Sequence, residues 1–221
     1  MTVLRPRRLP CSPEKPILNQ SLEEYSVNNG FSSSLPSAAV RFSVPAGLRA
    51  ACTVLLGTAF LAACAHVAIP LWFTPVPLTV QPFGVLLLGL LLGPRLAAAT
   101  VAAYLTEGAL GLPVFAPTTV ALTGLAHLLG PTGGYLLAYP AAALLIGYLQ
   151  RRLGGSFSMN LLSAAAGNLL ILTGGALWLA VITHASVPAA FSLAVLPFLP
   201  GDALKVAAAA AAAGGLRRLR R

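Results

Sequence analysis

Charged residues are scarce in this chain. Only 9% of its 221 residues are Asp, Glu, Lys or Arg, where soluble domains carry roughly 25%. Residues 50–94, 108–150 and 153–201 contain none. The composition is 57% hydrophobic and the mean hydropathy is +0.83. A water-facing fold of this size could not hide so much apolar surface, and the lipid bilayer is the solvent that fits. Five carboxylates leave no room for a metalloprotease helix motif. The three cysteines, Cys11, Cys52 and Cys64, show no metal spacing and read as small apolar residues. His66, His127 and His184 each lack a second His or Cys at ligand spacing, so they read as core or loop residues. No G-x-x-x-x-G-K match exists, which excludes ATP hydrolysis by that route. No Ser/His/Asp arrangement can be drawn either. The chain is expected not to be an enzyme and to need neither cofactor nor metal.

What the sequence does hold is a series of apolar runs punctuated by Pro and Gly. A crossing helix needs about 20 apolar residues. The first span is expected from Ala46 to Leu71, where Pro70, Pro75, Pro77 and Pro82 break it. A short second span covers Thr79 to Gly93, and Gly93-Pro94-Arg95 is a tight turn. The third runs from Leu96 to Leu112, the fourth from Tyr135 to Gln150, and the fifth from Met159 to Thr183. Residues 184–200 carry Pro188, Pro197 and Pro200 and read as a loop or broken helix. The sixth span runs from about Gly201 through an alanine tract to Gly215. The expected fold is all-α: a polytopic membrane protein of six transmembrane helices over residues 47–216, followed by a basic tail at 217–221.

Residues 1–46 differ, being polar and mixed in charge. They lack the apolar core of a signal peptide. They read as a disordered cytoplasmic extension, with an organelle transit peptide or an early start codon as alternatives. The pair Glu23 and Glu24 argues against a transit peptide.

The net charge of +9 does not point to nucleic acid, because no aromatic-interleaved basic groove is visible. The basic residues instead flank spans. Arg41 and Arg49 precede the first, Arg95 lies between the second and third, and Arg151 and Arg152 follow the fourth. Arg217, Arg218, Arg220 and Arg221 follow the sixth. With six crossings all these fall on one face, and the loops at about 71–80, 113–134 and 184–200 hold no Lys or Arg. The positive-inside rule then puts both termini in the cytoplasm. A plasma (inner) membrane is expected, or an organelle membrane if residues 1–46 are a transit peptide.

The outer loops are longer and richer in Pro and Gly. Irregular backbone at membrane depth survives only where it lines a cavity or is buried in protein, so a pocket opening outward is expected. Charges inside a span are costly and usually functional. Asp202 and Lys205 are three apart and share a helix face. They form either a structural pair with Asp202 near an N-cap, or a polar hook. In the hook, Lys205 meets a ligand carboxylate and Asp202 accepts N–H donors. Glu107 belongs either to the ligand shell or to an internal hydrogen bond. Gly130-Pro-Thr-Gly-Gly-Tyr135 is a turn permitting close approach. Ala59 and Ala63, like Thr58 and Ala62, make small-xxx-small pairs. These suit either internal packing or docking to a separate membrane subunit.

Four motifs then fall in one order: Thr74-Pro-Val-Pro-Leu-Thr-Val-Gln81, Leu92-Gly-Pro-Arg95, Glu107-Gly-Ala-Leu-Gly-Leu-Pro-Val-Phe-Ala116 and Leu129-Gly-Pro-Thr-Gly-Gly-Tyr135. Over residues 47–216 the chain resembles the BioY family, the biotin-binding S components of energy-coupling factor transporters. The resemblance implies a six-helix bundle that takes biotin, as transported ligand, from outside. It also implies a transmembrane coupling subunit and a pair of cytoplasmic ATPases as partners. It implies pocket candidates in the Thr74–Gln81 loop (Thr74, Thr79, Gln81), Val114-Phe115, Gly133-Gly134-Tyr135, Asn168, and Asp202 with Lys205. Ala59 and Ala63 would face the coupling subunit. The segment between Ala116 and Gly130, usually glycine-rich in the family, departs here, and no ligand contact is assigned to it. Trp178, Phe115 and Tyr135 are candidates for flat apolar walls, since a mostly apolar pocket with a few placed polar groups suits biotin. An S component for another vitamin, or a self-sufficient facilitator or channel, is the alternative.

Overall fold

The computed structural model describes residues 45–117 and 122–219. Residues 1–44, and so nearly all of the expected extension, lie outside the described residues. The described fold is helical. Its elements are α1 (Ala46–His66), β1 (Ala68–Ile69), β2 (Leu78–Thr79), α2 (Gln81–Leu92), α3 (Pro94–Ala109), α4 (Leu125–Leu129), α5 (Gly133–Leu153), α6 (Phe157–Thr183), α7 (Val187–Ala194) and α8 (Leu199–Leu219).

Local chemistry sets the boundaries. α1 ends at His66, five residues short of the expected Leu71, because the chain turns into a two-stranded ribbon. Ala68 pairs with Thr79 and Ile69 with Leu78, antiparallel, and Val80 N–H closes the ribbon on the Val67 carbonyl at 3.1 Å. The proline-rich residues 70–77 make the connection. Pro82 lies in the first turn of α2 and Pro94 in that of α3, where the missing N–H costs nothing. Gly93 between them has φ +79°, a conformation open chiefly to glycine. Residues 184–200 hold a short helix, α7, rather than a plain loop. Ser156 Oγ accepts from Met159 N–H at the start of α6, and Arg217 and Arg218 sit in the last turn of α8, where cations meet the negative end of the dipole.

α5 lies at the centre, packed on α6, α3 and α2; α8 closes against α2 and α6, and α1 rests on α3 and α2. Where α5 crosses the α2–α3 turn the backbones nearly touch. A Cβ on Gly147 would stand 2.6 Å from the Gly93 carbonyl carbon.

The polarity of the fold is inverted relative to a soluble protein. Leu56, Leu169, Val181 and Leu204 are exposed, while Thr100, Asn160, Ser163 and Asp202 are buried. That arrangement needs an apolar surround. α1 and α6 are each long and apolar enough to cross a membrane, with a mean hydropathy of 1.8, and α7 with α8 makes a third crossing if the 54° bend between them lies within one span. α2 has 12 residues, about 18 Å at 1.5 Å per residue, and is shorter than the ~30 Å hydrocarbon layer.

The bundle has two unlike ends. At one end α2 and α5 finish. Arg217 from α8 donates there to the Leu90 carbonyl and to Asn160 Oδ1, and Gly93 lies against the Arg151 guanidinium. At the other end α2, α5 and α8 begin, and a cavity opens among them.

Candidate functional site

The cavity is lined by the β-ribbon exit and α2 (Val76, Pro77, Thr79, Gln81, Pro82), the loop residue Ala116, and His127 of α4. α5 and its N-cap add Thr132, Tyr135, Leu136 and Tyr139, α6 adds Ile171 and Leu172, and the last segment adds Phe198, Asp202 and Lys205. The space between them, open mouth included, is about 530 Å³. Its wall is apolar and aromatic, with polar groups at few points.

The strongest polar feature is on the first turns of α8. Lys205 Nζ donates to Asp202 Oδ1 at 2.9 Å, with side chains 12% and 6% exposed. Asn168 Nδ2, from α6, donates to Asp202 Oδ2 at 3.2 Å. Asp202 stands inside α8, its N–H bonded to the Phe198 carbonyl, so it is not the N-cap. Asp202 and Lys205 are an ion pair, as one of the two readings expected, and both line the cavity. Asn168 Oδ1 is buried without a hydrogen-bond partner among the described residues.

A second polar point is Gln81, 3% exposed. Its Nε2 donates to Tyr104 Oη at 3.0 Å, and Tyr104 Oη donates to the Val114 carbonyl at 2.8 Å. Tyr104 is fully buried and meets Phe115 edge to face, centroids 5.6 Å apart. Phe115 in turn stacks on His127 at 4.9 Å. His127 Nδ1 is 3.3 Å from the Leu122 carbonyl. Burial holds the His127 imidazole below its ordinary pKa, with the Leu122 bond acting the other way, so His127 is neutral at pH 7.

The break between α7 and α8 completes the mouth. Pro197 has no N–H to give to the Leu193 carbonyl, and Phe198 N–H turns to Val195 instead of Ala194. The two freed carbonyls are taken from outside the segment. Thr74 Oγ1 donates to Leu193 at 3.2 Å and Tyr135 Oη to Ala194 at 2.6 Å. Buried carbonyls need such partners.

Of the residues singled out from sequence, Thr79, Gln81, Tyr135, Asp202 and Lys205 line this cavity. Thr74, Phe115, Gly133, Asn168 and Trp178 do not line it but hold what does. Trp178, expected as a wall, packs on Gly134 and donates Nε1–H to the Gly130 carbonyl at 2.9 Å, so it fixes the start of α5. Gly133 is pressed on the Leu128 carbonyl. Glu107 is half-buried on α3 and outside the lining. His127, read as a core or loop residue, does line the cavity, and brings to it the segment to which no contact was assigned. Tyr139 and Phe198 were missed. Tyr139 stands one turn after Tyr135, and Phe198 one turn before Asp202, a spacing that puts each beside its partner. Ala59 and Ala63 are exposed on α1, with Leu55 and Leu56, whereas Thr58 is buried and Ala62 half-buried, so the two small-residue pairs face opposite ways.

The BioY family profile matches residues 35–221. The chain belongs to the BioY family. A probable biotin transporter BioY of Pyrococcus horikoshii is 43% identical over 135 residues, covering 61% of this chain and 76% of the relative. A biotin transporter BioY of Thermotoga maritima is 38% identical over 162 residues, covering 73% of this chain and 92% of the relative. Among solved structures, the S-component for biotin from an ECF-type ABC transporter superposes with a TM-score of 0.72 at 28% identity, covering 78% of this chain and 92% of that one. BioY proteins form a transporter family of membrane S components, not an enzyme family, and the all-α bundle seen here is theirs.

Proposed function

We propose that this protein captures biotin from the outer face of the membrane and passes it across as the substrate-binding subunit of an energy-coupling factor transporter. The observation that carries the proposal is the cavity: apolar walls, one buried Lys–Asp pair and one buried amide, in a chain of the BioY family. Biotin offers a carboxylate, an apolar chain and a ureido ring with two N–H donors. Lys205 suits the carboxylate. The free lone pairs of Asp202 and the amide of Gln81 suit the ring. Leu136, Ile171, Leu172 and Phe198 suit the apolar body.

The six longer helices are the six crossings, with both termini in the cytoplasm and the cavity facing out. The gathering of Arg217 and Arg151 at the opposite end of the bundle supports this orientation. Crossing by the short α2 requires the bilayer to thin locally or neighbouring residues to snorkel. The protein resides in the plasma membrane. Ala59 and Ala63, exposed beside Leu55 and Leu56, form the face for a transmembrane coupling subunit, through which a cytoplasmic ATPase pair supplies energy.

The test is equilibrium binding of labelled biotin to purified protein in detergent, with lipoate, thiamine and riboflavin as competitors. Saturable binding displaced only by biotin supports the reading. Displacement by another vitamin moves the chain to a different ligand, and uptake into vesicles without partners or ATP would identify a facilitator.

A further inference from the structure

We infer that Tyr104, which never reaches the cavity, sets what the cavity can recognise by fixing the direction of the Gln81 amide. Hydrogen-bond polarity decides that direction. A carbonyl can only accept, so the 2.8 Å contact between Tyr104 Oη and the Val114 carbonyl must consume the single phenolic proton. Tyr104 Oη is then an acceptor toward Gln81, and the group it meets at 3.0 Å must be Nε2. The amide oxygen is therefore turned away from Tyr104. A flipped amide would set two acceptors against each other in a place where Tyr104 is 0% and Gln81 3% exposed, where such a repulsion is costly.

Gln81 lines the cavity, and Oε1 is the end of its amide that the bond to Tyr104 leaves free for a ligand. At this point the cavity asks for an N–H donor, as the ureido ring of biotin provides, and disfavours a carbonyl or carboxylate oxygen. Together with Asp202, acceptor-only when ionised, Gln81 makes an acceptor set that matches a ring bearing two N–H groups. Lys205 stands alone for the acid end. Tyr104 is a positioning residue: it acts through Gln81 and touches no ligand. The inference rests on the biotin reading proposed for the cavity.

The experiment is a double-mutant cycle on biotin affinity in detergent, using Tyr104→Phe, Gln81→Ala and both together. Phe keeps the buried ring and its contact with Phe115, and removes only the hydroxyl. Tyr104→Phe should weaken biotin binding about tenfold, as expected for one hydrogen bond lost from a preorganised site. In the Gln81→Ala background the same change should cost less than about twofold, because the group it acts through is gone. A merely structural Tyr104, holding the Val114 loop alone, would cost the same in both backgrounds, and that result overturns the inference. An unaltered affinity for Tyr104→Phe alone overturns it as well. Failure of the unmodified chain to bind biotin would overturn the proposed function and this inference together, so the two failures are told apart by the wild-type arm. Thermal unfolding of each variant without ligand checks that all four proteins are folded.

Discussion

The Asp202–Lys205 pair allows binding and stability to be separated by counting charges. Asp202 accepts from Lys205 at 2.9 Å and from Asn168 at 3.2 Å. Asp202→Ala strands a buried ammonium and a buried amide N–H. Removing one partner of a buried ion pair costs about 3–5 kcal/mol, and the lost amide bond adds about 1 kcal/mol. Lys205→Met strands only the carboxylate, which keeps its Asn168 donor, so its cost lies near the low end, about 3 kcal/mol. The double variant Asp202→Ala/Lys205→Met leaves no charge uncompensated. It should therefore be more stable than either single variant, within about 1–2 kcal/mol of wild type. Biotin binding should follow a different order. On the proposed reading each variant removes a charge-assisted bond to the ligand, worth about 1.5–3 kcal/mol, so affinity should fall roughly 10- to 150-fold in the singles and not recover in the double. Thermal unfolding in detergent and equilibrium binding of labelled biotin read the two quantities separately. A double variant that regains wild-type affinity along with stability would show that the pair only braces α8, and the ligand role would be lost.

Gly134→Ala should destabilise the fold by about 1–3 kcal/mol, since its Cβ would meet the Trp178 side chain and stand 2.5 Å from the Gly174 carbonyl; a lower melting temperature with altered tryptophan fluorescence is expected. For His127 the pKa is lowered by burial, so the unfolded chain takes up a proton first as pH falls. Its contribution to stability is full above about pH 6.5 and is lost below; His127→Gln should flatten that part of a melting profile between about pH 7.5 and 5, and an unchanged slope would refute the assignment. Ala59→Leu with Ala63→Leu should leave melting temperature and biotin affinity unchanged, because both side chains are exposed, while co-purification with a coupling subunit is lost. Retained co-purification would move the docking face elsewhere.

Much of the fold was legible in the sequence, because lipid imposes few choices. Charge-free runs and Pro-Gly punctuation located every longer helix of the described residues, and single-sided arginines suggested the orientation proposed above. Boundaries failed where tertiary pairing decided them. Nothing local to Val67–Leu71 announces a strand, since its partner lies ten residues away across a proline loop. In the site, Asp202 and Lys205 were visible because a charge in an apolar run is costly and stands out from its neighbours. Thr74, Trp178 and Phe115 were singled out as ligand candidates, and in the fold they brace the residues around the cavity, as motifs mark residues without telling contact from support. Tyr104 was not singled out and His127 was read only as a core or loop residue, since a hydroxyl gains its direction and an imidazole its place at a wall only from what the fold brings beside them.

The interruption between α7 and α8 has a consequence for how this protein can change. A more continuous helix through residues 187–219 would be the more stable segment by itself, and replacing Pro197 is the first step toward one, although Pro200 would still kink it. Such a repair would return the Leu193 and Ala194 carbonyls to their own helix and withdraw the acceptors that Thr74 and Tyr135 hold. The ribbon loop and the head of α5 would lose their shared anchor at the mouth. Selection for thermal robustness and selection for a well-formed mouth therefore pull on this one proline in opposite directions. A variant library screened only for survival on heating should enrich replacements there that bind poorly.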